Sequence, residues 1–143
     1  MQPLRLQTLA VQTSSRNELV EVTDRLRKVV STFRINEGML IVYVPHTTAA
    51  VTINENADPD VKSDLLAKLS ALIPKNETYY DHNEGNSDAH LKTALVGNSA
   101  TVLIEHSQLV LGTWQGLYFC EFDGPRSRQF HVKLLDFRPE PST

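Results

Sequence analysis

The chain has 143 residues, of which 41% are hydrophobic and 22% are charged, and these values are typical of a folded globular domain. A single domain over residues 1–143 is expected, because a chain of this length buries roughly 70% of its unfolded surface but cannot form two cores. The formal net charge of −3 argues against nucleic acid as a partner, since phosphate-backbone binding needs an excess of Lys and Arg. No segment resembles a signal peptide or has the roughly 18 apolar residues of a membrane span, so we expect a cytoplasmic protein without membrane contact.

The first third of the chain is predicted to form two strands and a helix. Residues 4–13 alternate apolar and polar side chains with one change of phase, which suits a bulged strand, and residues 18–22 alternate again. Apolar residues then recur at helical spacing over residues 24–34, behind Thr23, whose side chain is typical of an N-cap. This helix has one apolar face and is therefore expected to pack on another element.

A buried strand and a second helix follow. The run MLIVYV, residues 39–44, is apolar throughout, and TTAAVTIN continues the pattern, so we expect one strand buried on both faces and interrupted near His46. Asp58 and Pro59 are typical of a helix N-cap and first helical residue, and Pro74 ends the predicted helix. Its apolar stripe is formed by Val61, Leu65, Leu66, Leu69, Leu72 and Ile73.

The second half is predicted to hold a loop, a short helix and four strands. Residues 75–87 are polar and have no periodicity, which is typical of a loop, and a loop of this length is often functional. Asp88 is expected to cap a helix through Leu95, with Gly97 at its C′ position. Strands are predicted at 100–105, 108–111, 117–122 and 129–137, with DGPRSR as a hairpin loop. This order predicts an α+β fold, a β-sandwich or curled sheet with two or three helices packed on it.

The segment YYDHNEGNSDAH, residues 79–90, concentrates five ionisable side chains: Asp81, His82, Glu84, Asp88 and His90. Because His82 and His90 are eight residues apart, no single helix or strand aligns them, and they can meet only through the fold of the loop. Imidazoles with carboxylates suit Zn²⁺, whereas carboxylates with amide oxygens suit Mg²⁺. The alternative is a solvated loop whose histidines cap backbone groups, and the spacing does not decide between the two interpretations.

Three other polar segments are candidate binding sites. His46 stands with two threonines where the buried strand is interrupted, and Asn54 and Glu55 stand just before the second helix with no evident capping role. Arg126 and Arg128 lie on the predicted hairpin tip, where two arginines in an acidic protein can hold phosphate. The structural alternatives are a core histidine, a polar loop and solvated arginines.

The single tryptophan and the single cysteine are predicted to be structural. Trp114 is bracketed by glycines in GTWQG and is expected in the core or at a subunit interface rather than as a ligand platform. Cys120 lies in the apolar run LYFCEF, where a buried thiol is expected. His106 is expected in a turn and His131 in a strand, both outside the site. The sequence has no P-loop, Rossmann glycine pattern, CxxC pair or GxSxG elbow, so the common nucleotide and serine-hydrolase classes lose support.

Three segments resemble, in this order, the signature segments of the YjbQ family, whose members are described as secondary thiamine-phosphate synthases: HTTAAVTINENADP, YYDHNEGNSDAHLK and GTWQGLYFCEFDGPR. The resemblance runs from about residue 4 to residue 135. It implies a β-sandwich of jelly-roll type flanked by helices, a homotrimer, and a cleft near a subunit boundary that groups the polar motifs. The implied reaction joins hydroxymethylpyrimidine diphosphate to a thiazole phosphate and releases pyrophosphate, as a weak side activity in a family whose physiological substrate can be another molecule.

The resemblance also implies which residues form the site. The family's polar positions fall on His46, Thr47, Asn54, Glu55, Asp58, His82, Glu84, Gly85, Asn86, His90, Gln115 and Arg126. We expect the catalytic groups to be His82, His90, Glu55 and Glu84, and the substrate-binding groups to be Thr47, Asn54, Asn86, Gln115 and Arg126. Bound phosphate or a divalent ion, Zn²⁺ or Mg²⁺, is expected at His46, His82 and His90, and histidine as a general acid is the alternative role.

Two other functions compete with the enzyme. The first is a non-catalytic trimeric module that binds a metal ion or a small phosphorylated metabolite. The second is a purely structural assembly protein that uses the GTWQG strand as its interface. Turnover distinguishes the enzyme from both, and replacement of Trp114 tests the assembly protein.

Overall fold

The computed structural model describes residues 2–138 and has an α+β architecture in which helices pack on curled antiparallel sheets. The helices in this range are α1 (Thr23–Phe33), α2 (Pro59–Leu72) and α3 (Ser87–Val96). The strands are β1 (Gln2–Pro3), β2 (Gln7–Gln12), β3 (Glu18–Glu21), β4 (Gly38–Tyr43), β5 (Ala49–Glu55), β6 (Ser99–Glu105), β7 (Gln108–Leu109), β8 (Gln115–Glu121) and β9 (Ser127–Asp136). The predicted α+β class is confirmed, whereas the jelly-roll arrangement stays a prediction.

The strands form two antiparallel sheets. In the six-stranded sheet the order is β1-β9-β4-β6-β7, and β2 also pairs with β9. The long β9 holds two partners along one edge, because β1 pairs with its last residues and β2 with its first. In the three-stranded sheet β8 lies between β3 and β5. The bulge predicted within residues 4–13 is confirmed in kind and lies at residues 4–6, where regular pairing is lost: the chain advances four residues from Pro3 to Gln7 while β9 advances three, from Leu135 to Val132.

Strand β8 separates two cores because its side chains alternate between them. Leu117 and Phe119 belong to the first core, which lies between the two sheets and includes side chains of α1. Tyr118, Cys120 and Phe122 belong to the second core, on the face of the small sheet that α2 and α3 cover. A strand that is covered on both faces needs apolar residues at successive positions, which explains the continuous run LYFCEF.

The predicted interrupted strand is wrong in one respect, because its two halves belong to different sheets. β4 pairs with β6 and β9, whereas β5 pairs with β8. Residues 45–48 carry the chain from one sheet to the other, and Pro45 cannot donate a ladder hydrogen bond there. The side chain of Asn98 donates to the carbonyls of Val44 and His46, at 3.2 and 3.0 Å, and so fixes the crossing.

Of the three predicted N-caps, only the one on α2 is confirmed. Asp58 accepts a hydrogen bond from the backbone N–H of Asp60 at 2.9 Å. Thr23 is instead the first residue of α1, and its hydroxyl accepts from the backbone N–H of Leu117 at 2.9 Å, which ties α1 to β8. Asp88 lies inside the first turn of α3, where its carboxylate binds two cations rather than the helix N-terminus.

Helix α2 covers its sheet only in part. None of its side chains is fully buried, although Leu65, Leu66 and Leu69 pack against the second core as the predicted stripe requires. Leu72, from the same stripe, is 61% exposed. The helix therefore presents apolar surface to solvent in the single chain. No helix among residues 2–138 is both long enough and apolar enough to cross a membrane.

Candidate functional site

The two predicted catalytic histidines lie side by side. His82 comes from the loop after α2 and His90 from the first turns of α3, and their ring centroids are 5.2 Å apart at an interplanar angle of 85°. Glu84 is largely exposed, with its Oε2 3.6 Å from Nε2 of His82. The loop thus brings together three side chains whose spacing alone did not align them, and we call His82 and His90 the histidine pair.

The histidine pair lines an open cavity of about 430 Å³. Tyr79 and Tyr80 form an aromatic wall, with their ring centroids 5.3 Å apart in an edge-to-face arrangement. The Tyr80 hydroxyl donates to the carbonyl of Pro74 at 2.7 Å, which fixes this ring against the end of α2. A cavity of this volume, with aromatic and imidazole groups in its lining, suits a small planar ring that carries a polar substituent.

Three charged side chains fix the first turns of α3, the helix that carries His90. Arg16 donates to both carboxylate oxygens of Asp88 at 2.9 Å, and Nζ of Lys92 lies 3.4 Å from the same carboxylate. Lys92 also donates to the side chain of Asn17 at 3.1 Å. Asp88 is 0% exposed and Lys92 is 1% exposed. These three residues, Arg16, Asp88 and Lys92, are here called the α3 clamp, and they tie α3 to the segment before β3.

Burial and pairing act in opposite directions on the clamp. Burial alone raises the pKa of Asp88, but the hydrogen bonds and charges of Arg16 and Lys92 together outweigh it and hold this pKa below its usual value. Burial lowers the pKa of Lys92, and the carboxylate of Asp88 only partly compensates. The charge of Asp88 is therefore maintained mainly by the bidentate contact with Arg16.

Asn86 and Arg126, two predicted substrate-binding residues, meet on one carboxylate. Nδ2 of Asn86 and Nη2 of Arg126 each lie 2.9 Å from Oδ2 of Asp123, to which they donate. Arg126 also donates from Nε to the carbonyl oxygen of Asp123 at 2.7 Å. Among the described residues, Oδ1 of the buried Asn86 has no hydrogen-bond partner. Since buried amide oxygens are normally paired, this atom is suited to accept a hydrogen bond from a ligand or a water molecule.

A buried ion pair continues from Asp123 toward the crossing between β4 and β5. Glu121 accepts from the backbone N–H of Asp123 at 3.0 Å and from Nε of Arg128 at 2.8 Å. Arg128 in turn donates to the hydroxyl of Thr48 at 2.8 Å. Burial raises the pKa of Glu121. The hydrogen bonds from Arg128, the N–H of Asp123 and the Thr13 hydroxyl outweigh this effect, so the pKa lies below its usual value and the carboxylate stays charged. Arg128 is buried near the start of β9, so the prediction that it lies with Arg126 on the hairpin tip is wrong.

His46 makes its contacts with β9 rather than with the histidine pair. Its Nε2 lies 3.0 Å from the carbonyl oxygen of Gln129 and 3.2 Å from the backbone nitrogen of the same residue. Burial and the charge of Arg128 lower the pKa of His46, which favours the neutral imidazole. Thr47, the next residue, is exposed in the same connection. The proposed role of His46 as a metal or phosphate ligand stays a prediction.

Asn54, Glu55 and Gln115 form a third group, at the far end of the small sheet, and we call them the strand-end group. Glu55 on β5 lies opposite Gln115 on β8, and Asn54 lies opposite Gly116. A side chain on Gly116 would clash with Asn56, whose Nδ2 and Cβ lie 2.8 and 2.9 Å from the position of a Cβ atom. Since β5 rises about 3.3 Å per residue, this group lies roughly 20 Å along the strand from Ala49 and the crossing.

The residues described for a single chain do not complete a metal site. Over residues 2–138, no group of three or more His, Cys, Asp or Glu side chains is arranged to hold a metal ion. The histidine pair offers two nitrogen atoms, whereas protein zinc sites ordinarily take at least three protein ligands. The predicted third ligand, His46, is bound to the backbone of β9.

Several residues of this region were missed or left open by the sequence. Arg16 lies in a polar turn with no motif, and Lys92 was hidden because a lysine in a short helix is normally solvated. The spacing of Asp88 and Lys92, four residues apart on a helix, is the one signal that predicts their ion pair.

Trp114 is 61% exposed, so it is not a core residue. Cys120 is buried as predicted, and burial raises the pKa of its thiol to about 12.

The fold and the site define a class of small α+β proteins with a ligand-sized cavity at the start of a helix that packs on antiparallel strands. The family model described as UPF0047 protein YjbQ-like matches residues 7–136. The chain therefore belongs to the YjbQ family, as the resemblance of its three segments predicted.

Relatives and solved structures agree with this assignment. The chain is 52% identical over 125 residues to a UPF0047 protein of Methanocaldococcus jannaschii, covering 87% of this chain and 90% of that protein. It is 45% identical over 130 residues to the UPF0047 protein YugU of Bacillus subtilis, covering 91% and 98%. A crystal structure of a YjbQ/UPF0047 family protein from Clostridium acetobutylicum superimposes with a TM-score of 0.88 at 46% identity, covering 90% of this chain and 99% of that one. A YbjQ-like protein of unknown function from Sulfolobus solfataricus gives the same TM-score at 30% identity, covering 94% and 98%.

Proposed function

We propose that this protein is a cytoplasmic enzyme that joins hydroxymethylpyrimidine diphosphate to a thiazole phosphate, as a side activity of a site for small phosphorylated molecules. The observation that carries the proposal is the histidine pair in an aromatic cavity, with ring centroids 5.2 Å apart. The pyrimidine ring would pack on Tyr79 and Tyr80, and the diphosphate would lie toward the histidines and the N-terminus of α3. Backbone N–H groups at a helix N-terminus favour such an anion.

The reaction requires little covalent chemistry from the protein. The thiazole nitrogen attacks the methylene carbon of the pyrimidine, a new C–N bond forms, and the C–O bond to the diphosphate breaks. Pyrophosphate leaves with the bonding electron pair, so the main task of the site is to neutralise the oxygen atoms that gain charge. An imidazolium of the histidine pair can donate a hydrogen bond or a proton to the leaving oxygen, and Arg126 can balance the remaining negative charge.

A site shared between copies in a homotrimer is part of the proposal. Asn54, Glu55 and Gln115 lie at one end of β5 and β8, whereas the start of α3 lies at the other end, where Asn86 donates to Asp123 at 2.9 Å. The strand-end group is therefore not expected to contact the same small substrate as the histidine pair of its own chain. The same three residues of a neighbouring copy are not held at that distance, so in a trimer they can lie beside the histidine pair. The exposed apolar groups Leu72 and Trp114, both 61% exposed, supply surface that subunit contacts would cover.

The histidine pair supplies two nitrogen ligands in one chain, so a Zn²⁺ ion at this place would need a further ligand from elsewhere. Metal content of the purified protein is therefore expected to lie well below one equivalent per chain if only the residues of one chain bind. If the wild type holds one equivalent of metal per chain and the His82→Ala variant loses it, this expectation is overturned. The third ligand would then come from a neighbouring subunit. Elemental analysis of wild type and variant together makes the comparison.

Release of pyrophosphate is the direct test of the function. With both substrates present, the wild type is expected to produce pyrophosphate and thiamine phosphate in equal amounts, measured by a coupled pyrophosphate assay and by chromatography. Omission of the thiazole phosphate should stop both products, which controls for hydrolysis of the diphosphate. Tight binding of either substrate without release of pyrophosphate would instead identify a non-catalytic binding module.

The subunit interface can be tested at Trp114. Changing Trp114 to Ala is expected to convert a trimer, with three times the chain mass of 16.1 kDa, into smaller species, because aromatic groups often dominate interface energies. Sedimentation velocity measures the mass, and circular dichroism shows whether the chain remains folded. A wild type that sediments as a single chain contradicts the trimer, and a variant that stays trimeric removes Trp114 from the interface.

A further inference from the structure

A second cavity, with a polar lining, lies between α1 and β7. Its volume is about 440 Å³, and its polar lining is formed by Arg27, Ser31, Arg34, Ser107 and Gln108. Helix α1 packs in the first core, whereas Ala89 and Val96 of α3 pack in the second core, so the small sheet lies between these two helices. Among the described residues, no Asp or Glu lines this cavity, although the protein is acidic overall.

The two arginines keep most of their donor groups available. Arg27 is paired only with Asp24, at 2.8 Å, and their side chains are 52% and 93% exposed, so solvent screens the interaction. The guanidinium of Arg34 takes part in no hydrogen bond or ion pair with residues 2–138. Glu37 and Glu105 line a different, neighbouring cavity. Arg34 therefore has no paired carboxylate among residues 2–138, Arg27 has one that solvent screens, and both arginines line one concave surface.

The backbone around this cavity adopts conformations that ordinarily select glycine. Arg34, His106 and Ser107 have positive φ angles of 52°, 50° and 62°, and they are the only non-glycine residues with positive φ in the described chain. Arg34 occupies the left-handed position at the end of α1, where glycine is the usual residue. Ser107 occupies the hairpin turn between β6 and β7, where glycine or asparagine is favoured. At both positions the sequence keeps a strained side chain that lines the cavity.

The end of α1 does not prevent binding of an anion here. A helix C-terminus carries partial negative charge on its unpaired carbonyl groups. In this helix the backbone N–H of Arg34 donates to the carbonyl of Ser31 at 3.2 Å, and that of Ile35 donates to the carbonyl of Val30 at 3.3 Å. These bonds satisfy two of the terminal carbonyls, and the two guanidinium groups carry full positive charges.

We propose that this cavity binds the phosphate or diphosphate group of a small molecule, at a site separate from the proposed active site. Guanidinium groups bind phosphate through two hydrogen bonds each, and donors that approach from different directions suit the oxygen atoms of a tetrahedral anion. Arg27 lies on α1 and Arg34 directly follows its last residue, roughly 10 Å farther along the axis, so their side chains can reach one group from both sides. The volume is larger than one phosphate requires, which leaves room for the rest of the molecule.

The proposal is tested by titrating the protein with inorganic pyrophosphate. The NMR chemical shifts of the backbone amides of Ser107 and Gln108 report the binding. In the wild type these amides are expected to shift in a saturable way. Arg34→Gly and Arg27→Ala are each expected to weaken the binding about tenfold or more, as loss of a charged hydrogen bond does. The matched control Lys28→Ala removes one positive charge from the same helix outside this cavity and should change the affinity less than about twofold.

Two further comparisons distinguish binding in this cavity from a loss of folding and from binding at the histidine pair. Arg34→Gly is expected to raise the melting temperature about 3 °C above that of Arg34→Ala, since only glycine relieves the left-handed conformation, while both variants lose binding. A His82→Ala/His90→Ala protein should keep the shifts of Ser107 and Gln108, so failure of the proposed enzyme leaves this result unaffected. Absence of saturable shifts in the wild type, or equal weakening by Lys28→Ala, overturns the proposal.

Discussion

Changing His90 to Ala is expected to lower kcat/KM for pyrophosphate release by a factor of about 10²–10⁴, the range that a positioned acid or base contributes. The imidazole lies on α3 beside His82, within the lining of the aromatic cavity, so it faces the place where the leaving oxygen would gain charge. A loss of kcat with little change in KM is expected, because the interaction strengthens mainly in the transition state. Steady-state kinetics of wild type and variant measure both constants.

The two histidines are expected to act as a unit. The double variant His82→Ala/His90→Ala should then be little slower than either single variant, because groups that cooperate in one step give strongly non-additive losses. His131→Ala is the matched control, since this histidine lies on β9, bonded to Thr8, outside the cavity. It should retain wild-type kinetics.

Stability measurements distinguish catalysis from folding in these variants. The His82 side chain is 44% exposed, so its removal is expected to change the free energy of unfolding by less than about 1 kcal/mol. Urea unfolding followed by circular dichroism measures that value. Full activity in the stable double variant would contradict the catalytic role of the histidine pair and leave both histidines as polar groups of a loop.

The sequence predicted the elements of the fold better than their partners. The apolar run of β8 and the apolar stripes of α1 and α2 are visible in the sequence, and each of these elements is present in the structure. The assignment of β4 and β5 to one strand is wrong because both are apolar, and burial looks the same in either sheet. Periodicity reports that a face is covered, but it does not report which element covers it.

The same limit applies to the candidate site. The resemblance named the polar positions, and the structure divides them into the histidine pair, the Asn86 and Arg126 contacts on Asp123, and the strand-end group. A sequence motif carries no information on distances between segments, so this division was not predictable. The α3 clamp was also missed, because its burial results from α2, α3 and the segment before β3 packing together.

Changing Asp88 to Ala is expected to lower the free energy of unfolding by about 3–5 kcal/mol, because it leaves Lys92 buried without its carboxylate partner. Lys92→Met should lower the free energy of unfolding by less than Asp88→Ala does. Asp88 keeps its bidentate contact with Arg16, and burial already disfavours the charge of the lysine. The double variant Asp88→Ala/Lys92→Met should recover part of the loss, and urea unfolding gives the coupling energy. The matched control is Asp24→Ala, which removes an acid from the first turn of α1 at an exposed position and should stay near the wild type.

The clamp also predicts how the stability depends on pH. The pKa of Asp88 is lower in the folded chain than in the unfolded chain, so its contribution is fully present above its unfolded pKa, about 3.9, and is lost as the pH falls through the folded value. The difference in free energy of unfolding between wild type and Asp88→Ala should therefore be constant near neutral pH and shrink below about pH 4. Glu121 and Asp136 also have lowered pKa values, so the variant should keep part of the acid sensitivity. A difference that persists unchanged at acid pH would mean that packing, rather than the charge of Asp88, holds the first turns of α3 in place.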